Sequence, residues 1–406
     1  MTARLSDQPW LIASATRAVM AALEAAGGPG CARFVGGCVR NALIGQPVAD
    51  IDIATTLKPG ETDEAIRAAG LKAVPTGIAH GTVTAVAGRR PFEITTLRRD
   101  VSTDGRRATV AFTDDWAEDA ARRDFRLNAL YADTGGQVFD PTGQGVADAL
   151  AGRIVFVGDP ETRIREDFLR ILRFFRFHAW YGRGEPDAAA LAACRALAPG
   201  MARLSAERVS SELMKLLSAA DPRPAMIAMA GAGVLARIMP EGRLTPLFDA
   251  AVGQDGDPVV RLMMLLPPDE AVVRAAATRL RFANATRDRL AFAALALPVV
   301  DLSMSDREAR AVLYRHGVRA VVDAVRRRWA EAPDRSGDAR RLLALADTWT
   351  PPRLPVGGRD VVRLGVEPGP ETGRLLSAFE EAWVADDFPA HGHAERLAAL
   401  LSQPRG

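Results

Sequence analysis

An α+β head joined to an all-helical remainder is the fold this sequence predicts, and three observations predict it. Up to about residue 157, short β-rich apolar stretches alternate with helical ones, as in a mixed sheet that carries helices. Beyond about residue 160, apolar residues recur at three- and four-residue intervals with Pro and Gly in the gaps, which is the helical period. The 406 residues exceed one ordinary core, so several domains are expected.

Strands are expected at ARFVGG, DIDIATTL, TVTAVAG, RPFEITTLR, QVFD and GRIVFVG. In ARFVGGCVRNALIG, Gly36 and Gly37 stand where an apolar strand turns into a helix. Their N–H groups can approach a phosphate closely, and a helix start favours an anion. Arg40, one turn on, aims a donor at the same place. An ordinary turn is the other use of such a pair; neither a G-x-G-x-x-G spacing nor a P-loop lysine is present.

In VADIDIAT, alternation sends Ile51 and Ile53 to one face and Asp50 and Asp52 to the other. Neighbouring carboxylates raise each other's pKa unless a cation lies between them, and hard oxygen ligands suit Mg²⁺ better than Zn²⁺. Two solvated acids at a strand edge are the plain alternative. Glu93, on a strand expected to pair with TVTAVAG across the GRR turn, is placed to complete a metal site, to act as general base, or simply to face water. AARRDFRLNAL then brings Arg122, Arg123 and Asp124 in a row with Asn128 four residues on. Two guanidiniums suit a triphosphate and an Asp suits a ribose hydroxyl, although such a run also occurs on plain surfaces.

The helical part opens with RIREDFLRILRFFRFHAWY, read as one helix on which Asp167 and Arg170, three apart, share a face. An acceptor beside a donor matches cytosine and adenine, which offer an amino group next to a ring-nitrogen acceptor; uracil and guanine present the reverse. Arg163, Arg165, Arg173 and Arg176 run along the same segment, facing RNA or water. Breaks near Asp221–Pro224, Gly253–Pro258 and TPPRLPVGG divide the remainder.

Net charge is only +2, and the basic residues are nearly all Arg. This argues against a uniformly basic coat while allowing a local phosphate-binding face. Cys31, Cys38 and Cys194 fit neither a disulfide framework nor a zinc knuckle. With no signal-like N-terminus and no run of about twenty apolar residues, a soluble, cytoplasmic protein without a membrane is expected. His391 and His393 are read as exposed loop residues.

In this order and spacing, GGCVRNALIG, DID, HGTV, EITTLR, TDGRRATVAF, RRDFRLNAL and REDFLRILR closely resemble the class II CCA-adding tRNA nucleotidyltransferase and bacterial poly(A) polymerase family, over roughly residues 30 to 215. The resemblance implies a polymerase-β-type nucleotidyltransferase head over 1–157, a helical neck carrying the base template over 158–220, a body over 221–300 and a tRNA-binding tail over 301–406. It implies Mg²⁺ on Asp50 and Asp52, Glu93 as third carboxylate, a triphosphate at Gly36, Gly37 and Arg40, ribose and phosphate contacts from Arg123, Asp124 and Asn128, and base selection by Asp167 and Arg170, with Arg173 beside them. Glu166 is then a support for the template Arg, and Arg208 and Glu212 brace the template helix.

Addition of CCA to tRNA from CTP and ATP is the expected function, with tRNA and not DNA as polymer partner. A poly(A) polymerase, a relative adding only CC or only A, and a non-catalytic RNA-binding protein of the same fold are the alternatives. Retention of both Asp50 and Asp52 argues against the last. A small-molecule nucleotidyltransferase would need neither the C/A template nor the helical half.

Overall fold

The computed structural model describes the chain apart from residues 1–2, 6–7, 79–80, 105–106, 255 and 403–406, with backbone alone over 100–110. Of the motif residues, His80, Gly105 and Arg106 thus lie outside the described residues.

The head is a mixed sheet with helices on it. Its strands are β1 (Ala32–Val35), β2 (Asp52–Thr55), β3 (Lys72–Gly77), β4 (Thr82–Ala87) and β5 (Arg90–Thr96). Then follow β6 (Arg98–Asp104), β7 (Arg107–Phe112), β8 (Tyr131–Ala132) and β9 (Val138–Phe139). Seven of them pair in the order β3-β4-β5-β2-β1-β8-β9, while β6 and β7 form a separate hairpin. TVTAVAG and RPFEITTLR pair antiparallel as expected. Alternation on β4 buries Val83, Ala85 and Ala87. The β2–β5 pair is parallel and sets Asp52 opposite Glu93.

Three local expectations are corrected. Strand β2 begins at Asp52, so Asp50 precedes it and is exposed. Pairing with β1 reaches only Phe34↔Ile53, because the chain turns away at Gly36 with φ 68°. GRIVFVG is no strand. It meets the segment around Phe125 in one bridge, flanked by Arg126 N–H to Val155 O and Val157 N–H to Asp124 O, each 3.0 Å. That partner segment then enters a 3₁₀ turn, Arg126–Asn128, which ends the pairing.

The third correction concerns RIREDFLRILRFFRFHAWY. Its first helix, Pro160–Glu166, stops, Asp167 is extended (φ −153°, ψ 107°), and a second helix runs Leu169–Tyr181. Asp167 Oδ1 accepts from Leu169 N–H at 3.0 Å, so this carboxylate precedes the new helix and satisfies its first N–H instead of lying along it. Phe168 fills the break against Gly200, where a Cβ would sit 1.9 Å from its ring. Phe125, Phe156, Phe174 and Phe177 pack ring on ring, with centroids 4.8 Å apart for Phe125 and Phe156 and 5.2 Å for Phe125 and Phe177. The aromatic run of the long helix is thereby fixed against the Arg-Arg-Asp segment of the head.

The chain forms two compact units, Met1–Pro240 and Glu241–Gly406; the cut at Pro240 is not among the sequence breaks. The second unit is helical. One core gathers around Leu313, Ala324, Val325 and Leu342, and another around Val361, Phe379 and Trp383. Within it the fully buried Asp323 accepts both Arg289 donors at 2.7 and 2.9 Å. His391 is exposed, but His393 begins the last helix and packs edge-on to Phe379. All three cysteines are free and buried. Among the described residues no helix is long and apolar enough to cross a membrane.

Candidate active site

The carboxylate end of the site is built by strand pairing. The β2–β5 register places half-buried Asp52 beside exposed Glu93, with exposed Asp50 two residues upstream. Burial first, then the charges of Glu93 and Asp50, push the Asp52 carboxyl up to about 6, against a smaller opposing pull from Arg123. The three acids are therefore near neighbours whose repulsion the chain does not cancel. Among the described residues no set of three or more His, Cys, Asp or Glu side chains closes on a point that would hold a metal by itself. A divalent ion held by one or two carboxylates and completed by substrate phosphate oxygens and water is the habit of Mg²⁺, and this oxygen donor set fits it.

Asp52 lines a cavity of about 490 Å³ together with Gly36, Gly37, Arg40, Arg123, Asp124, Asn128 and Arg173, and with Arg176, Phe177, Trp180, Tyr181 and Lys215. Gly36 adopts φ 68°, a left-handed conformation that costs glycine little, and a Cβ there would sit 3.7 Å from Arg123 Nη1. Arg40 is buried, 6 % exposed. Its guanidinium donates to Asn41 Oδ1, to Asn128 Oδ1 and to the Tyr181 hydroxyl, the last at 2.7 Å, and its carbon lies 3.8 Å over the Tyr181 ring. Burial pulls the Arg40 pKa down. Among the described residues no carboxylate forms an ion pair with it, so the cavity wall holds a buried positive charge suited to an anion.

Arg123 is aimed by a group the motif reading missed. Asp119, 1 % exposed, accepts from Arg122 Nε at 2.8 Å, Arg123 Nη2 at 2.9 Å and the Tyr131 hydroxyl at 2.7 Å. Burial would raise the Asp119 carboxyl, but Arg123 and Arg122 overrule it and hold it below its ordinary value. The sequence signal was its position three and four residues ahead of the two arginines, which follow directly on the short helix Trp116–Ala121 that carries it. Asp119→Asn should lower the melting temperature by several degrees, since two guanidiniums lose a buried counter-charge worth about 3–5 kcal/mol when removed. It should also raise KM for the nucleotide; a melting curve and KM both matching wild type would remove Asp119 as the anchor.

Asp124 is fully engaged. Burial alone would raise its carboxyl, yet Arg173 and Asn128 hold it at about 2. Its Oδ1 accepts from Phe125 N–H and Asn128 Nδ2, and its Oδ2 from Arg173. A sugar in the cavity would thus meet an Asp124–Arg173 ion pair instead of a bare carboxylate.

Asp167 and Arg170 do not line this cavity, although Arg173, one turn beyond Arg170, does. Asp167 Oδ2 accepts from Arg208 Nη2 at 2.6 Å. Arg170 donates to the Arg163 carbonyl at 2.7 Å and pairs with Glu166. Arg163 in turn bonds the Arg123 carbonyl at 2.8 Å, tying this segment to the head backbone. The i,i+3 pair between Asp167 and Arg170 is replaced by these contacts, and Glu212 braces Arg176 at 3.0 Å. Arg165 pairs with Glu161 on an exposed face.

A mixed-sheet head whose carboxylates stand beside an arginine-lined cavity is the architecture of a nucleotidyltransferase. Residues 32–155 match the Poly A polymerase head domain, and 185–244 match the probable RNA and SrmB-binding site of polymerase A. The chain is 34% identical over 373 residues to human "CCA tRNA nucleotidyltransferase 1, mitochondrial", covering 86% of this chain and 82% of that one. It is 32% identical to the "CCA-adding enzyme" of Streptococcus sanguinis, covering 88% and 90%. The fold matches the crystal structure of the Bacillus stearothermophilus CCA-adding enzyme in complex with CTP, with TM-score 0.74, 24% identity and 94% of each chain covered. A Thermotoga maritima CCA-adding enzyme complexed with tRNA matches with TM-score 0.70 at 18% identity, over 99% of this chain and 100% of that one. The chain belongs to the CCA-adding tRNA nucleotidyltransferase and poly(A) polymerase family.

Proposed function

We propose that this protein completes tRNA 3′ ends, adding C, C and A from CTP and ATP without a nucleic-acid template and releasing pyrophosphate at each step. The observation that carries this reading is the cavity in which Asp52, the Gly36–Gly37 turn, Arg40 and Arg123 meet Arg173, Arg176 and Tyr181 of the helix Leu169–Tyr181. Within the family, the relatives named as CCA-adding set the choice of product.

Asp50 and Asp52 would hold Mg²⁺, with Glu93 as the third carboxylate facing them. Bound there, the metal lowers the pKa of the RNA 3′-hydroxyl and offsets charge on the departing pyrophosphate. The residues of the chain do the rest. Gly36 and Gly37 bring backbone N–H groups to the triphosphate, and Arg40 and Arg123 balance its charge. Asn128 and the Asp124–Arg173 pair receive the sugar. Asp167 accepts a hydrogen bond from the amino group of C or A, and Arg170 donates to its ring nitrogen. We assign catalysis to 1–157, the template to 158–220, a body to 221–300 and tRNA binding to 301–406. Three reduced cysteines are consistent with work in the cytoplasm.

The test is incorporation on a tRNA lacking its CCA, with Mg²⁺ and CTP alone, ATP alone or both, followed by sequencing of the product ends. Addition that stops at CCA, with two C residues from CTP alone, supports the proposal. Runs of A on any RNA would instead identify a poly(A) polymerase, addition confined to CC or to A a partial-specificity relative, and binding without transfer an RNA-binding protein.

A further inference from the structure

The long helix Leu169–Tyr181 runs along the cavity, which Arg173, Arg176 and Tyr181 of this helix line. Arg170 lies near its start, Arg173 against Asp124 one turn later, and Arg176 and Tyr181 toward its end. Tyr181 stands eleven positions after Arg170, about 16.5 Å at 1.5 Å per residue, comparable to an extended nucleoside triphosphate. A nucleotide whose base is read at Asp167 and Arg170, and whose sugar sits at Asp124 and Arg173, therefore carries its terminal phosphate to the Arg176–Tyr181 end.

At that end most cations already have partners. Arg176 pairs with Glu212 at 3.0 Å, and Arg40 is fixed by Asn41, Asn128 and Tyr181. Lys215 also lines the cavity and is exposed. Among the described residues its ammonium makes no ion pair or hydrogen bond. Its backbone is held in place, because Trp180 Nε1 donates to the Lys215 carbonyl at 2.7 Å. Lys215 also lies in the last turn of the Ala206–Leu217 helix, so two packed helices aim it.

We propose that Lys215 binds the terminal phosphate of the incoming nucleotide and so selects triphosphates over diphosphates and monophosphates. This rests on reading the cavity as the nucleotide site. A lysine ammonium, a compact charge with three donors, suits a phosphate that is bound and then released with pyrophosphate.

Binding of CTP, CDP and CMP in Mg²⁺ without RNA, by calorimetry on the full chain, tests it. Lys215→Gln should weaken CTP about tenfold, a change of about 1.4 kcal/mol, and leave CDP and CMP binding as in wild type. Lys215→Arg should restore most CTP affinity, and the melting temperature should not move because the side chain is exposed. Unchanged CTP affinity in Lys215→Gln, or an equal loss for all three ligands, would overturn the assignment. Wild-type protein that binds none of the three would overturn the nucleotide-site reading itself and the role of Lys215 with it.

Discussion

Asp52→Asn should abolish nucleotide transfer and, at neutral pH, make the protein more stable. The two effects share one cause. Burial and the charges of Glu93 and Asp50 raise the Asp52 carboxyl from its ordinary 3.8 to about 6. The folded state therefore binds a proton more readily than the unfolded chain, and Asp52 supports folding below about pH 4. That support is lost as pH rises through about 6, and above it the ionised carboxylate opposes folding. An amide of the same shape removes this opposition, on the order of 1–3 kcal/mol from a shift of this size, or several degrees in melting temperature. Wild type and variant should thus melt alike near pH 4 and diverge between pH 4 and 7. Mg²⁺ should raise the melting temperature of wild type near neutrality and leave Asp52→Asn unmoved, a readout independent of activity. A variant that keeps normal transfer, or one less stable than wild type at pH 7.5, would break the link between repulsion and metal binding.

Much of the architecture could be read from the chain because its signals are local. Alternating apolar residues in TVTAVAG and RPFEITTLR specify a hairpin with one buried face, and β4 and β5 form it. What was missed depends on partners distant in sequence. DIDIAT reads as a continuous strand, but only Asp52 onward finds neighbours, because β1 turns off at Gly36. GRIVFVG has strand composition and meets a segment that leaves at once for a 3₁₀ turn. In REDFLRILR the helical period runs through Asp167 without a break, and the interruption is set by Phe168 settling against Gly200, thirty-two residues on. The site divides the same way. Arg40, Arg123 and Asp124 were legible as chemistry-bearing types in a spaced motif. Tyr181, which holds Arg40 from 141 residues away, and Lys215 carry no local mark of their place.

Removing Arg170 should let UTP and GTP in before it stops transfer, and removing Arg208 should do the same by a different route. The extended backbone at Asp167 divides the work of its two oxygens. Oδ1 is committed to the Leu169 N–H, while Oδ2 is shared with Arg208 at 2.6 Å. Arg170 is oriented by the Arg163 carbonyl and Glu166. In the template role proposed for them, a cytosine or adenine edge would satisfy both side chains, whereas uracil or guanine would confront a carboxylate with a carbonyl and a guanidinium with an N–H. At about 1–3 kcal/mol per unsatisfied buried group, that mismatch gives each contact about 10- to 100-fold of discrimination. Arg170→Ala deletes one contact and should cut discrimination against UTP and GTP by that factor, measured as the ratio of single-nucleotide incorporation efficiencies. Arg208→Ala leaves both reading groups present but frees the Asp167 carboxylate to rotate about its remaining bond to Leu169. Its loss of discrimination should therefore be smaller, with kcat for CTP nearly kept. If the discrimination ratio of Arg170→Ala equals that of wild type, the base is selected elsewhere. If Arg208→Ala loses transfer of all four nucleotides equally, Arg208 supports the fold of the template segment and not the aim of Asp167.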